Sequence, residues 1–187
     1  MSLSRLLPNL NNPLLEEYAQ TWLSLKEENE GDIPYKHQLS PRSLRALVHN
    51  ILILELDPKD SLTIRLSGAS IDEAMNKDIT QTPHLDILNS NSYTGVKLFH
   101  KTVITQKCGG FAQYNLIQKD KIKLSMKSLA FPLQSKRDTS LQLNAALIVV
   151  ESKDFTTALT DTETYVGDIE LLDYQYFDVG FGAPKPL

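Results

Sequence analysis

His100 is the residue whose type and setting best suit ligand chemistry in this chain of 187 residues. Apolar side chains recur at helical spacing between Tyr93 and Lys107, which predicts a helix over that range. The side chains that share its apolar face are Tyr93, Val96, His100, Val103 and Ile104. A neutral imidazole on such a face can hydrogen-bond either a ligand or a polar group of the core. We therefore expect His100 to point into the interior, and both roles remain open.

Two predicted strands after this helix, Phe111–Gln118 and Ile122–Leu133, supply further polar groups. Their hydroxyl, amide and thioether groups could contact a ligand, and core filling is equally compatible with them. The residues in question are Tyr114, Asn115, Met126 and Ser128. The candidate ligand-binding set is therefore Tyr93, Val96, His100, Val103, Tyr114, Met126 and Ser128.

Motifs for catalysis and metal binding are absent from the sequence. The chain has no Gly-x-Ser-x-Gly, phosphate-loop, His-Glu-x-x-His or Gly-x-Gly-x-x-Gly pattern. His37, His49 and His84 are scattered, and the single cysteine, Cys108, allows neither an internal disulfide nor a zinc cluster. We expect no enzymatic activity, no catalytic residues and no metal ligands.

Charge is distributed unevenly around a net value of −4. Residues 97–137 carry nine Lys and Arg against Asp120, whereas residues 151–187 carry eight acids against two lysines. A basic stretch can bind nucleic acid or another anion. These lysines are dispersed, however, and no nucleic-acid motif accompanies them, so solvated faces are the favoured interpretation and nucleic-acid binding a weaker alternative.

The longest apolar run, Ala145–Val150, has the length of a strand and is too short to cross a membrane. No signal-peptide pattern precedes it. A lone cysteine fits a reducing compartment, so we expect a cytoplasmic protein without membrane contact.

The elements that must position these residues begin with a predicted helix over Pro13–Glu28, capped by Asn12. We expect its Trp22 to pack onto the sheet or onto a second subunit. The Ser40-Pro41 pair repeats the cap-and-proline pattern and predicts a short second helix.

A β-hairpin over residues 51–67, short helical pieces near Ser70–Glu73 and His84–Leu88, the long helix and three more strands complete the predicted order. The long helix is expected to end at Cys108-Gly109-Gly110. This order predicts an α+β fold, a five-stranded antiparallel sheet with helices on one face plus the N-terminal helices. We divide the chain into an N-terminal helical extension (1–50), a core (51–151) and an acidic C-terminal tail (152–187). The tail could dock as a helix or strand, or order only against a partner.

Several short motifs follow one another along the chain: Trp22-Leu23-x-Leu25, Ile33-Pro34, Leu39-Ser40-Pro41-x-x-Leu44, the strand Ile51–Glu55, Ile64-Arg65-Leu66-Ser67-Gly68, Asp78-Ile79-Thr80 and Phe131-Pro132-Leu133. In their order and spacing they resemble the bacterial PAS-like sensory domain family over residues 14–151. The positions with a predicted structural role are Trp22, Pro34, Pro41, Arg65 and Gly68. The chain departs from the family at Asn76 and Gln81, where glycines are usual.

Arg65 stands between Ile64 and Leu66, which strand alternation places together on the opposite face. A buried Arg65 would need Glu55, Asp57 or an anionic ligand as partner, and a structural salt bridge is the favoured interpretation.

The resemblance implies a PAS fold, sensing of a small molecule or cofactor, and frequent dimerisation. Some haem-binding members use a histidine on the helix that corresponds to Tyr93–Lys107, but a hydrogen-bonded core role is favoured for His100. Flavin-binding members carry their cysteine in an Asn-Cys-Arg-Phe setting on an earlier helix, unlike Cys108 here, so a small buried side chain is expected. The cofactor is unknown.

The predicted function is a sensory or ligand-binding module. We expect no output domain within these 187 residues, so the signal would pass through a protein partner or a homodimer. The alternative is a structural or adaptor protein with a filled core.

Overall fold

A six-stranded antiparallel sheet with helices on both faces forms the body of the computed structural model. The structure describes residues 10–86, 90–118, 122–136, 142–155, 167–182 and 184. The strands are β1 (Ile51–Leu56), β2 (Leu62–Ser67), β3 (Gly109–Gln118), β4 (Ile122–Gln134), β5 (Gln142–Phe155) and β6 (Gly167–Phe177). Their order across the sheet is β2-β1-β5-β4-β3-β6. The α-helices are α1 (Pro13–Glu28), α2 (Pro41–Leu44), α3 (Ala69–Met75) and α4 (Ser90–Thr105).

The predicted α+β class with an antiparallel sheet is confirmed, but the predicted strand count of five is too low. The sixth strand, β6, comes from the acidic tail and pairs with β3. Its acids Asp168 and Glu170 alternate with Ile169 and Leu171, which face the interior. A half-solvated edge strand reads as polar, which is why composition alone did not mark it as part of the sheet.

Strand alternation divides the central strands between two apolar layers. Along β5, Ala145, Leu147 and Val149 face the layer that contains α1, whereas Ala146 and Ile148 face the layer that contains α4. Because successive side chains point to opposite faces, one strand anchors both layers.

Helix α1 has the predicted bounds and the predicted cap. The Asn12 side chain accepts hydrogen bonds from the backbone N–H groups of Leu14 and Leu15 at 3.0 and 3.3 Å. The Ser40 hydroxyl likewise accepts from the N–H of Ser43 at the start of α2. These caps satisfy amides that have no partner inside the helix, so both starts are encoded locally.

Trp22 packs α1 onto the sheet, one of the two predicted alternatives. Its ring stacks on Phe131 with 4.7 Å between centroids, and its Nε1 donates to the Pro132 carbonyl at 3.1 Å. The Tyr18 hydroxyl donates to the Ala145 carbonyl at 2.9 Å. The carbonyl of Pro34 accepts from the N–H of Gln134, which ties the extended Ile33-Pro34 step to the end of β4.

The end of α4 differs from the prediction. The helix stops at Thr105, and the left-handed residue that follows is Lys107, with φ 51°, rather than a glycine. Gly109 and Gly110 instead open β3, where a Cβ would meet the Phe177 ring at 2.1 Å and the Phe99 ring at 2.7 Å, respectively. These glycines are needed for close packing and not for helix termination.

The predicted helix near His84–Leu88 is a short 3-10 turn, His84–Asp86, and residues 87–89 lie outside the described part. Asn76 and Gln81 keep the left-handed backbone that glycine would adopt, with φ of 51° and 62°. The turn around Asp78-Ile79-Thr80 therefore retains a left-handed geometry without glycine at these two positions.

Strand β2 carries a bulge that overturns the predicted alternation. Ile64 pairs with Leu54 while Leu66 pairs with the adjacent Ile53, so Ile64 and Leu66 point to opposite faces. The extra residue in the bulge is Arg65, which reverses the alternation beyond it. Arg65 forms a two-pronged ion pair with Glu55, one of the predicted partners, with Nε 2.8 Å from Oε2.

Gly68 is required where β2 ends, because a Cβ there would lie 2.4 Å from the His49 carbonyl oxygen and 2.6 Å from that of Val48. Both atoms belong to the backbone and cannot rotate away. We expect Gly68→Ala to lower the free energy of unfolding by about 1–3 kcal/mol or more in a urea titration. Gly95→Ala is the control, since its Cβ would meet Leu171 at an ordinary 3.4 Å and α4 would gain helix propensity. Equal stability of the two variants would contradict the prediction.

Candidate functional site

A cavity lies between the sheet and the helices α3 and α4. All six strands contribute to its wall, together with Ile71 and Met75 of α3, Ile79 beyond it, and Val96, Phe99 and His100 of α4. It holds about 50 Å³ of space open to the centres of water molecules. One water needs about 10–15 Å³ on this measure, so the cavity accommodates a few waters or a small organic molecule.

Five of the seven candidate ligand-binding residues line the cavity, and two lie beside it. Those in the wall are Val96, His100, Tyr114, Met126 and Ser128. Val103 is fully buried and packs against Gly110. Because Gly110 has no side chain, α4 approaches β3 closely at this point, and no open space remains between them for a ligand. Tyr93 is half-buried, with its ring centroid 6.0 Å from that of His84.

His100 is held by a buried amide from β5. Asn144 is fully buried, and its Nδ2 lies 2.8 Å from His100 Nδ1. Because the amide nitrogen can only donate, Nδ1 accepts and the neutral imidazole carries its proton on Nε2. Burial, and secondarily the neighbouring His84, hold the pKa of His100 well below its usual 6.5. At neutral pH this imidazole is an uncharged part of the wall.

A second buried histidine, His84, faces the first across the cavity wall. It is 4% exposed, and its ring meets that of His100 edge-on with 6.2 Å between centroids. Its Nδ1 has no hydrogen-bond partner among the described residues. Burial lowers the pKa of His84 to about 4. Sequence reasoning missed this residue because it belongs to a 3-10 turn too short to show any periodicity.

Tyr114 and Ser128 place two hydroxyl groups on the sheet side of the cavity. Burial raises the pKa of Tyr114, and the neighbouring Ser128 side chain offsets part of that effect. Ser128 Oγ is buried, yet within the described part of the chain it has no hydrogen bond of good geometry. Asn115, one position along β3, turns away from the cavity and donates to Glu170 at 3.0 Å. The wall thus combines an apolar majority with four uncharged polar side chains.

The cavity does not fit a haem or a flavin. Space for a few water molecules is far below the volume of either ring system. Cys108 lies outside the wall, where burial raises the pKa of its thiol to about 11 and its Sγ is 3.8 Å from the Thr102 carbonyl. No group of three or more His, Cys, Asp or Glu side chains suited to a metal occurs among the described residues.

Ion pairs occupy part of the basic stretch 97–137. Lys97 and Lys101 both contact Asp60, at 2.9 and 2.8 Å, and Lys127 contacts Glu151 at 2.7 Å. The two lysines hold the pKa of Asp60 below its usual value, the hydrogen bond from Lys101 being the larger cause. Lys119, Lys121 and Arg137 lie outside the described residues.

Across the described ranges, no helix combines the length and the apolar character needed to span a bilayer.

Comparison with known proteins gives one match. The sequence model of the family described as the PAS domain matches residues 10–148. Neither the curated proteins nor the solved structures include one that matches the chain. The family match covers the N-terminal helix, β1–β4, α4 and the first half of β5, and with them most of the cavity wall.

Proposed function

Since this chain belongs to the PAS domain family, whose members are generally non-catalytic sensory and interaction modules, we propose that it senses a small molecule in the cavity beneath α4. The signal passes to a protein partner or through a change in dimerisation.

The buried polar atoms that lack partners carry this proposal. A core that serves only stability satisfies its polar groups, because an unpaired buried donor or acceptor costs about 1–3 kcal/mol. Here His84 Nδ1 and Ser128 Oγ both belong to residues of the wall, and neither makes a hydrogen bond of good geometry within the described part of the chain. A bound molecule would supply the missing hydrogen bonds.

A physical connection from the cavity through β6 to α1 supports the signalling step. Ile169 and Leu171 of β6 line the cavity, so the C-terminal segment would contact a bound molecule directly. The same segment continues to Val179, which is buried in the α1 layer and whose carbonyl accepts from Lys26 Nζ at 2.7 Å. A ligand that prefers one position of β6 would shift the population of α1 packing states.

The test compares amide hydrogen exchange of the protein as isolated with that of protein from which any bound molecule has been stripped. Stripping consists of unfolding, gel filtration and refolding, and native mass spectrometry measures any bound mass before and after it. We expect the isolated protein to carry an additional small mass and to exchange about tenfold more slowly in α4 and in β6 or α1, the change that corresponds to about 1.4 kcal/mol of binding stabilisation.

Ala112→Val is the matched variant, because it adds two methyl groups to the wall of the cavity at a strand position. It should abolish both the additional mass and the difference in exchange while the circular dichroism spectrum stays the same. Unchanged protection in both α1 and β6 on stripping would rule out the signalling route.

The small size of the cavity favours one second candidate, an adaptor that works only through its surface. In that case the protein as isolated carries no additional mass, and exchange is identical before and after the stripping procedure.

A further inference from the structure

The residues described in the cavity wall carry no fixed charge. None of these seventeen residues is Lys, Arg, Asp or Glu, and those that can titrate near neutral pH are His84 and His100. An ion enclosed there would lose its hydration without gaining an opposite charge, which is strongly unfavourable. Charge alone therefore disfavours both anionic and cationic ligands.

The two histidines do not compensate for this lack of charge. Burial lowers the pKa of each, so both rings are neutral at pH 7. An anion could bind only together with a proton taken up by a ring that already resists protonation, and the two rings face one another. A cation would find no carboxylate among the wall residues that the structure describes.

The remainder of the wall favours an apolar molecular body. Thirteen of the seventeen residues are apolar, and two of them are methionines, Met75 and Met126. Methionine side chains are flexible and polarisable, so they adapt to small differences in ligand shape.

The two wall atoms that lack hydrogen bonds, His84 Nδ1 and Ser128 Oγ, favour a ligand with one polar group attached to its apolar part. Ser128 Oγ can donate or accept, and His84 Nδ1 does one or the other according to its tautomer. A hydroxyl group can both donate and accept. A carbonyl oxygen can accept from the Ser128 hydroxyl, and from His84 Nδ1 when the neutral ring carries its single proton there. Because both groups are uncharged, neither requires a change in the charge of the wall.

From these observations, which rest on the proposed function, we propose that the cavity selects a small uncharged organic molecule with an apolar body and one hydroxyl or carbonyl group bound at His84 and Ser128. A short branched alcohol or amide has this chemistry.

Four probes with the same isobutyl-type body test the proposal by amide chemical shifts of the stripped protein at pH 7: isobutanol, isobutyramide, isobutyrate and isobutylammonium. We expect the two neutral probes to shift amides of α4, β3 and β4, and the two ions to bind at least about tenfold more weakly, since ion burial is costly. Ser128→Ala should weaken isobutanol binding about 2- to 10-fold, the effect of one hydrogen bond.

Ser67→Ala is the matched control, because Ser67 Oγ is also buried without a partner in the described part but lies outside the cavity wall. It should leave the affinity for isobutanol unchanged. Since Ser128→Ala removes one oxygen atom only, folding of the variant is checked by its amide spectrum before titration.

Tighter binding of isobutyrate or isobutylammonium than of the neutral probes would overturn the ligand class and leave the proposed function standing. Absence of binding by all four probes would also overturn the class. The additional mass on the protein as isolated then decides the proposed function separately.

Discussion

Replacing Trp22 by alanine is expected to lower the free energy of unfolding by about 3–5 kcal/mol. The indole is completely buried, stacks on Phe131 and is the link between α1 and the carbonyl of Pro132 in a central strand. Its removal leaves a cavity over Phe131, while the Tyr18 hydrogen bond to the Ala145 carbonyl still holds α1 on β5. A urea titration monitored by far-ultraviolet circular dichroism measures the loss.

Two conservative variants separate packing from hydrogen bonding. Trp22→Phe keeps an aromatic ring over Phe131 and loses the Nε1 donor, so we expect a smaller loss than for alanine. Tyr18→Phe removes only the hydroxyl that donates to the Ala145 carbonyl, for a loss of about 0.5–1.5 kcal/mol. If Trp22→Ala costs less than 1 kcal/mol, α1 is not anchored as the structure shows.

Acidification from pH 6.5 to 4 is expected to remove about 3 kcal/mol of stability through His84 alone, at about 1.4 kcal/mol for each pKa unit. The folded-state pKa of His84 is lowered to about 4, whereas an unfolded histidine titrates near 6.5. Below pH 6.5 the unfolded chain therefore binds more protons, and the stability contributed by the neutral ring is lost as the pH falls towards 4. His100 has a lowered pKa as well and adds to the loss.

Unfolding free energies of His84→Gln and wild type, measured by urea titration at several values from pH 7 to pH 4, check this expectation. His84→Gln should show a shallower decline, while His37→Gln, at an exposed position, should follow the wild type. Among the described residues, the titratable side chains whose rings contact His84 are Tyr93 and His100, and neither of them is a carboxylate. Parallel profiles for His84→Gln and wild type would contradict the assignment.

Caps, turns and hydrophobic periodicity in the sequence correctly predicted the elements whose form depends on residues a few positions apart. Asn12 and Pro13 mark the start of α1, and the turn Asp57–Asp60 marks the hairpin of β1 and β2, because caps and turns are formed by side chains a few positions apart. The helical period likewise placed His100 on the inner face of α4. These features needed no knowledge of the tertiary structure.

The features that local signals could not predict arise between distant segments. Asn144 meets His100 only because β5 lies beneath α4, and His84 reaches the cavity through a turn without periodicity. The bulge at Arg65 reversed an alternation that the sequence displays without interruption. Strand β6 was not recognised because of its acids, of which Glu170 and Asp173 are exposed along the sheet edge. In each case the structure depends on contacts between residues that are far apart in the sequence and follow no regular spacing.

The position of β6 has a consequence for how the cavity forms during synthesis. Ile169 and Leu171 complete the wall, and they are the last of its residues to leave the ribosome. Chains emerge at about 5–20 residues per second and fold progressively from the N-terminus. The nascent chain therefore presents β3 as an open sheet edge beside an unclosed apolar groove until β6 pairs with it. Until that pairing, any molecule small enough for the groove has access to it without an opening of the finished fold.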